Sequence, residues 1–427
     1  MLSLGRALRH RNYRLYFTGQ GISLIGTWLT KVATAWLVYR LTGSAWLLGV
    51  LAFASQIPTF LLAPIAGVMV DRWDRRRVLL ATQTLAMLES AVLAALTLGG
   101  VIRVWEIVAL NVLQGLIDAF DMPVRQSLVV HMVDDRDDLP NAIALNSSMV
   151  NSARLLGPAV AGGLIAAFGE GWCFLIDAVS YAAVLVCVVL MRLAPRPHVA
   201  IRKRVLHDMA DGFRYVMGFA PIRSLLLLLA VSGLAGRPFN VLLPVIAREI
   251  MHGGAGMLGT LQATAGVGAL AGALYLASRR SIVGLGRVIV VSAAVFGLGL
   301  IAFSRAHVLW LAVPLLLVAS LGMMLQTAAS NTIIQTITDE DKRGRVMSLL
   351  AMALFGTVPL GSLAFGALAG RVGAENTILA GGAVCVAGSL LFLRGLPEIR
   401  QAIRPVYERM GIAPPRPTAD IEGPEET

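Results

Sequence analysis

The chain of 427 residues is 57% hydrophobic and only 14% charged. With a mean hydropathy of +0.74, and soluble domains carrying about 25% charged residues, a water-soluble globular protein is excluded. The net charge of +11 sits on short segments between apolar runs, so it reports membrane orientation and contact with anionic lipid, not nucleic-acid binding. Three cysteines, Cys173, Cys187 and Cys385, form neither a disulfide framework nor a metal cluster.

A membrane-crossing helix needs about 20 mostly apolar residues, and twelve such runs follow in chain order. The first, Tyr13 to Tyr39, comes after MLSLGRALRHRN without a recognisable cleavage site and is expected to be retained. Ala45 to Val70, Val78 to Leu98, Val104 to Val124, Asn141 to Phe168 and Gly171 to Met191 complete a first group of six. A basic, Pro-punctuated connector follows at 193–221. Its second half places Leu206, Met209, Ala210, Phe213 and Met217 at helical spacing, predicting an amphipathic surface helix. The second group is Ile222 to Arg248, Met257 to Ser278, Val288 to Phe303, Val308 to Ile334, Val346 to Gly370 and Thr377 to Leu393. The expected organisation is therefore an N-terminal bundle (1–192), the connector, a C-terminal bundle (222–396) and a disordered tail (397–427), Pro-rich and acidic towards its end.

Of the 36 Lys and Arg residues, 27 fall on segments sharing the side of the N-terminus. Only Arg40, Arg103, Arg248, Arg305 and Arg371 fall on the other. The positive-inside rule then places both termini in the cytoplasm. The two groups also match one another. One shift carries Asp135 onto Asp339, Asp137 onto Asp341, and Arg75 and Arg76 onto Arg279 and Arg280. Parallel six-helix repeats are a property of transporters that rock about a midplane site.

The loop between the second and third spans reads GVMVDRWDRRRVL, with Gly67, Asp71, Arg72, Arg75 and Arg76 in a fixed spacing. It resembles motif A of the major facilitator superfamily. In physical terms, Gly67 permits close helix approach, Asp71 suits the positive end of a helix from the other half, and the arginines can pair with Asp118 or Asp121 at the foot of the fourth span. Such a cluster would lock the cytoplasmic side in the outward-facing state. NYRLYFTGQGISLIGTWL, DAFDMPVRQSLV and LPNAIALNSSMVNSARLLGPAVAGGLI narrow the likeness to the drug and siderophore exporters of that superfamily, the enterobactin-exporter and macrolide-efflux branch called transmembrane secretion effectors. Within it, Gly157, Pro158, Gly162 and Gly163 approximate the exporter motif C, a place for tight helix crossing.

The resemblance implies an all-α integral membrane fold of twelve helices in two pseudo-symmetric bundles. It implies a secondary active exporter of a mid-sized amphipathic molecule, siderophore or drug-like, in the cytoplasmic (inner) membrane of a bacterium. Proton coupling, a monomer, no cofactor and no nucleic-acid partner complete the expectation. One departure from the resemblance affects coupling: many members carry an acid before the tryptophan of the first span, where this chain has Thr27 before Trp28. Asp118, Asp121, Asp177 and Glu89 remain as coupling candidates, since each ionisable group in hydrocarbon costs about 2.5 to 3.5 kcal/mol. Lys31, Arg154 and Arg237 are the cations at membrane depth considered with them. By depth, Glu89 pairs in level with Arg154, and Lys31 with Asp177.

The family's cavity, carried over, would be lined by Gln20, Ser23, Thr27, Trp28, Phe53, Asn111, Gln114, Asn151, Arg154, Arg237, Phe239, Asn240, Gln326 and Asn331. Arg237 sits near the midplane beside Pro238, which favours a break in the helix, and could hold an anionic cargo. A salt bridge to an acid on another helix is the alternative. A lysophospholipid flippase of the same fold is a second reading. An integral-membrane enzyme lacks a converging constellation of His, Cys or acids.

Overall fold

The computed structural model describes residues 5–130, 132–133, 135–191, 205–279 and 281–410. Arg280, the first part of the connector, the end of the tail, and the side chains of Asp71, Leu206, Met209 and Ala210 lie outside the described set. Twelve helical segments are long and apolar enough to cross a membrane. In hydrocarbon every backbone group must find its partner within the segment, so runs of this composition can only be helices.

In the first half these are α1 (Arg11–Thr42), α2 (Ala45–Arg72), α3 (Arg75–Leu98), α4 (Val104–Val129), α5 (Leu139–Phe168) and α6 (Glu170–Leu190). The connector helix α7 (Val205–Gly218) leads to the seventh span, made of α8 (Ala220–Ala235), a 3-10 turn at Arg237–Leu242, α9 (Leu243–Val245) and a π-turn at Ile246–Ile250. Then come α10 (Ala255–Ser278), α11 (Leu285–Phe303) and α12 (Leu309–Ile337). The eleventh span is α13 (Arg343–Ala351), a π-turn at Met352–Gly356 and α14 (Thr357–Val372); α15 (Ala374–Arg409) is the twelfth.

The break expected beside Pro238 is present, because the ring removes a donor just where α8 ends. The π-turn of the eleventh span had no sequence signal. Disorder from residue 397 is corrected: α15 runs on to Arg409, with Leu396, Ile399 and Ile403 buried at helical spacing. Those apolar residues anchor the extension despite Pro397 and Pro405 inside it.

The repeat is visible in the backbone. Gly169 (φ 88, ψ 171) and Gly373 (φ 85, ψ 159) join the fifth span to the sixth and the eleventh to the twelfth in the same left-handed-φ turn, which only glycine adopts without strain. Directly after each, an acid in the first helical turn meets a cation. Glu170 accepts from Arg40 at 2.7 Å, and Glu375 lies 3.5 Å from His307 and 4.0 Å from Arg305.

The halves differ in how they meet at their two ends. One face carries the N-terminal segment, α7 and the end of α15, with Arg72, Arg223, Arg287 and Arg343 exposed on it; it is called the basic face below. Near the opposite face a single apolar core joins both halves, from Leu29 to Leu51 and Phe174 on one side to Phe239 to Leu261 and Phe365 on the other. Near the basic face the core divides into two. One contains Tyr13, Leu79, Leu128 and Val188 of the first half; the other contains Ile222, Ile289, Ile334 and Leu396 of the second. The molecule is closed at the opposite face and parted at the basic one.

Each half has a brace at the basic face. Ala7 N donates to Asn141 Oδ1 at 3.0 Å, while Arg9 Nη2 and His10 Nε2 lie 2.7 and 3.0 Å from buried Asp138. In the second half α7 takes that place with charges reversed. Asp211 lies 3.7 Å from Arg345, and Lys342 sits 4.7 Å over the Tyr215 ring. Phe213 and Met217 of α7 remain exposed, as an amphipathic helix at a membrane surface requires.

Candidate functional site

Close contact between the halves is made by glycine. At the α5–α10 crossing, a Cβ on Gly162 would stand 2.9 Å from Ala255 O and 3.0 Å from Gly259 Cα. At α2–α14, a Cβ on Gly49 would stand 2.6 Å from Ser362 O and 3.0 Å from Gly366 Cα. Both crossings lie toward the opposite face, where the hydroxyl of Tyr39 also hydrogen-bonds Glu249 across the halves. Within the first half, a Cβ on Gly157 would fall 2.3 Å from Trp28 Cβ, binding α5 to α1. Buried Pro158 lends its carbonyl to the α10 contact. Gly163, the fourth residue of that motif, faces open space.

The loop after α2 is arranged differently from expectation. Asp121 accepts from Thr82 Oγ1 at 2.9 Å and Gln83 Nε2 at 2.7 Å, and pairs with Arg125 one turn on. Asp118 accepts from Gln114 Nε2 at 2.9 Å. Arg76 instead donates to Val189 O at 2.8 Å, at the carbonyl end of α6, where the helix dipole favours a cation. In this conformation Asp121 is thus paired with Arg125, four residues on and legible as a spacing, and Arg76 is held at α6 in place of the expected pairing with Asp118 or Asp121. Arg72 is exposed, and a Cβ on Gly67 would meet nothing within 4 Å, so the close approach expected there is absent from this conformation.

The polar residues assigned to a central cavity divide into two sets. Thr27, Trp28, Phe53, Asn111, Gln114, Arg154, Arg237 and Asn331 are partly exposed, and Asn151 and Asn240 are exposed. Gln20, Ser23, Phe239 and Gln326 are buried, and their assignment to the lining is corrected. Gln326 donates to Ser232 Oγ at 2.7 Å inside the second half, and Phe239 packs edge-on against Phe296. Gln20 and Ser23 are buried within the first half, where neither finds a hydrogen-bond partner among the described residues.

Two cations stand at membrane depth, Arg154 on α5 and Arg237 at the break of the seventh span, one from each half, and the charge of Arg154 reaches Arg237. Arg237 Nη2 donates to Thr327 Oγ1 at 2.6 Å, while its Nε is buried without a partner among the described residues. Among the described residues no carboxylate forms an ion pair with either. Glu89, expected level with Arg154, turns into the first half beside Asp177 instead. Lys31 is exposed, 5.1 Å from the Trp28 ring centroid.

The transmembrane secretion effector family matches residues 5–410. The chain belongs to that family. Among its relatives, a staphyloferrin A transporter of Staphylococcus aureus is 26% identical over 89% of this chain and 96% of its own length. A multidrug efflux pump, Tap, of Mycobacterium tuberculosis is 29% identical over 90% and 91%. Macrolide efflux protein A of Streptococcus pyogenes is 21% identical over 89% and 96%. Among solved structures, a mutant of the nucleoside transporter NupG superposes with a TM-score of 0.73 at 12% identity, covering 91% of this chain and 99% of that one. A bacterial homologue of the iron transporter ferroportin in an inward-facing state gives 0.68 at 16%, covering 90% and 98%.

This secretion effector therefore has the major facilitator fold of twelve helices in two pseudo-symmetric bundles, is a multi-pass bacterial membrane protein, and is an exporter working by secondary transport. What the sequence did not single out are the residues that complete its polar sites. Tyr39, Tyr181, Thr327 and Glu249 carry no motif, and only the packing of helices distant in sequence brings them into place.

Proposed function

We propose that this secretion effector exports an anionic, amphipathic small molecule of siderophore or drug-like size, from a cavity that opens to the cytoplasm at the basic face. The observation carrying this reading is the pair of guanidiniums, Arg154 and Arg237, that come from opposite halves and form no ion pair with a carboxylate among the described residues. Two half-buried cations without a counter-charge are costly to dehydrate, and a bound anion offering paired hydrogen bonds relieves both. Thr27, Trp28, Phe53, Asn111, Asn240 and Asn331 supply the mixed lining that an amphipathic cargo of carboxylate or catecholate type requires. The names of the relatives, a staphyloferrin A transporter and two drug-efflux proteins, support the size and class.

The cation excess on the basic face supports its assignment to the cytoplasm, with both termini there. Export against a gradient needs a driving ion, and the proton is the ion for which buried carboxyls exist in the chain. Cargo enters from the cytoplasm in the state described. The halves then close at the basic face and part at the glycine crossings.

Arg237→Gln tests the carrying observation. It removes a charge-assisted interaction of about 1.5 to 3 kcal/mol, so binding of 2,3-dihydroxybenzoate to the purified protein is expected to weaken about 10- to 100-fold, while binding of the cationic dye rhodamine 6G is unchanged. Equal loss for both probes would assign Arg237 to bracing the fold and end the anion reading.

Asp71→Asn tests the basic-face lock. With one charge-assisted contact of about 1.5 to 3 kcal/mol removed from the closed form, spin-label distances across that face should shift about tenfold in population toward the parted state. Unchanged distances with normal transport would remove Asp71 from the mechanism.

A further inference from the structure

Glu89 on α3 and Asp177 on α6 are 3% and 1% exposed, and neither forms an ion pair among the described residues. One hydroxyl joins them: Ser90 Oγ lies 3.3 Å from Glu89 Oε2 and 2.9 Å from Asp177 Oδ2. Thr30 Oγ1 of α1 donates to that same Asp177 oxygen at 2.7 Å. A serine hydroxyl has one hydrogen to give. Both contacts can be full two-centre hydrogen bonds only if one carboxyl is protonated and donates to Ser90 while Ser90 donates to the other carboxylate.

The first half also holds a polar column leading from this pair toward the basic face. On α1, Tyr16, Gln20, Ser23, Thr27 and Thr30 recur every three or four residues and so share one side of the helix. Tyr16 lies within electrostatic reach of Asp121 and Arg125, Thr27 Oγ1 is 3.3 Å from the Tyr181 hydroxyl, and Thr30 reaches the carboxyl pair. Between those ends, Gln20 and Ser23 are 2% and 0% exposed with no hydrogen-bond partner for their side-chain polar atoms. Buried polar groups in that condition call for mobile protons or water. Packing is close enough to fix the geometry: a Cβ on Gly26 would fall 2.5 Å from Asp177 Oδ1.

We infer that Glu89, Ser90 and Asp177 form one proton-binding site, reached from the basic face through the interior of the first six-helix bundle and separate from the cargo cavity. The inference rests on the proton-coupled reading above and gives it a location. The charges facing the pair are Lys31 from α1 and Asp118 from α4, with Tyr181 and Cys173 on α6 itself. In the loaded site the proton sits on one carboxyl and bridges through Ser90 to the other. On release it passes into the column, and the charge of Lys31 favours the ionised form of Asp177.

Infrared difference spectra of the purified full-length protein between acidic and alkaline pH test the site directly. The wild type should show one buried protonated-carboxyl band. Glu89→Gln and Asp177→Asn should each move the band and lower the pH at which it titrates, because the remaining carboxyl no longer shares a proton with a second one, and Asp118→Asn should leave both unchanged. Ser90→Ala, which leaves both carboxyls, should shift the band. Absence of the band in the wild type, an unmoved band in either carboxyl variant, or an unshifted band in Ser90→Ala would overturn the shared site. Transport of 2,3-dihydroxybenzoate by proteoliposomes under an imposed pH gradient separates the two claims. A wild type indifferent to the gradient ends the proton-coupled reading. A responsive wild type with equally responsive Glu89→Gln and Asp177→Asn variants ends this site and leaves coupling standing.

Discussion

Gly162→Val is expected to hold the molecule open at the opposite face and to stop export without unfolding it. A side chain at that position would begin 2.9 Å from the carbonyl oxygen of Ala255 and 3.0 Å from Gly259 Cα. Both obstacles are backbone of the facing half, so no rotamer change makes room. Overpacking of this kind costs about 1 to 3 kcal/mol or more, charged entirely to the state in which α5 and α10 touch. In the alternate state that seam has parted, and valine is tolerated. A population ratio shift of about tenfold or more toward the open form follows. Spin labels at Val101 and Val308, exposed in loops of the two halves at the opposite face, should move apart. Labels at Arg136 and Ser281 on the basic face should move together. Normal distances and normal transport in this variant would show that the crossing is not part of the moving seam.

Gly157→Val should fail in a different way. Its Cβ would fall 2.3 Å from Trp28 Cβ, between two helices of the same half. Since α1 and α5 stay together while the halves rock as rigid bodies, no state of the cycle relieves the clash. The expected outcome is loss of thermal stability and yield, by about 1 to 3 kcal/mol or more of overpacking, with the surviving protein showing ordinary label distances. Two glycines five positions apart in one motif therefore have separable roles. One holds a bundle together, and the other lets two bundles meet. Unaltered stability in Gly157→Val together with altered distances would reverse that assignment.

The features that were legible in the sequence depend on short-range pattern. Twelve apolar runs, the connector helix, the repeat and the break beside Pro238 all follow from local composition, because hydrocarbon leaves the backbone one choice. Gly162 and Pro158 were readable as a crossing for the same reason. Side-chain partners at membrane depth were less accessible. Depth alone suggested Glu89 with Arg154, yet Glu89 turns toward Asp177, because α3 packs chiefly on α4 and α6. Gln20 and Gln326 looked like cavity lining by span number, and rotation about the helix axis places both inside their own halves. Asp121 was read as a partner for a distant loop although Arg125, four residues later, stood within one helical turn. For α15 the prolines and charges after residue 396 masked an apolar stripe that continues the helix.

Uptake of 2,3-dihydroxybenzoate into inverted membrane vesicles tests the central claim, export of an anionic cargo by rocking of the two halves. Accumulation driven by a proton gradient is predicted for the wild type, with more than tenfold less initial rate in both Arg237→Gln and Gly162→Val, the first by lost recognition and the second by a blocked cycle. A wild type that accumulates rhodamine 6G but not the anion, or an Arg237→Gln protein that transports the anion at the wild-type rate, would contradict it.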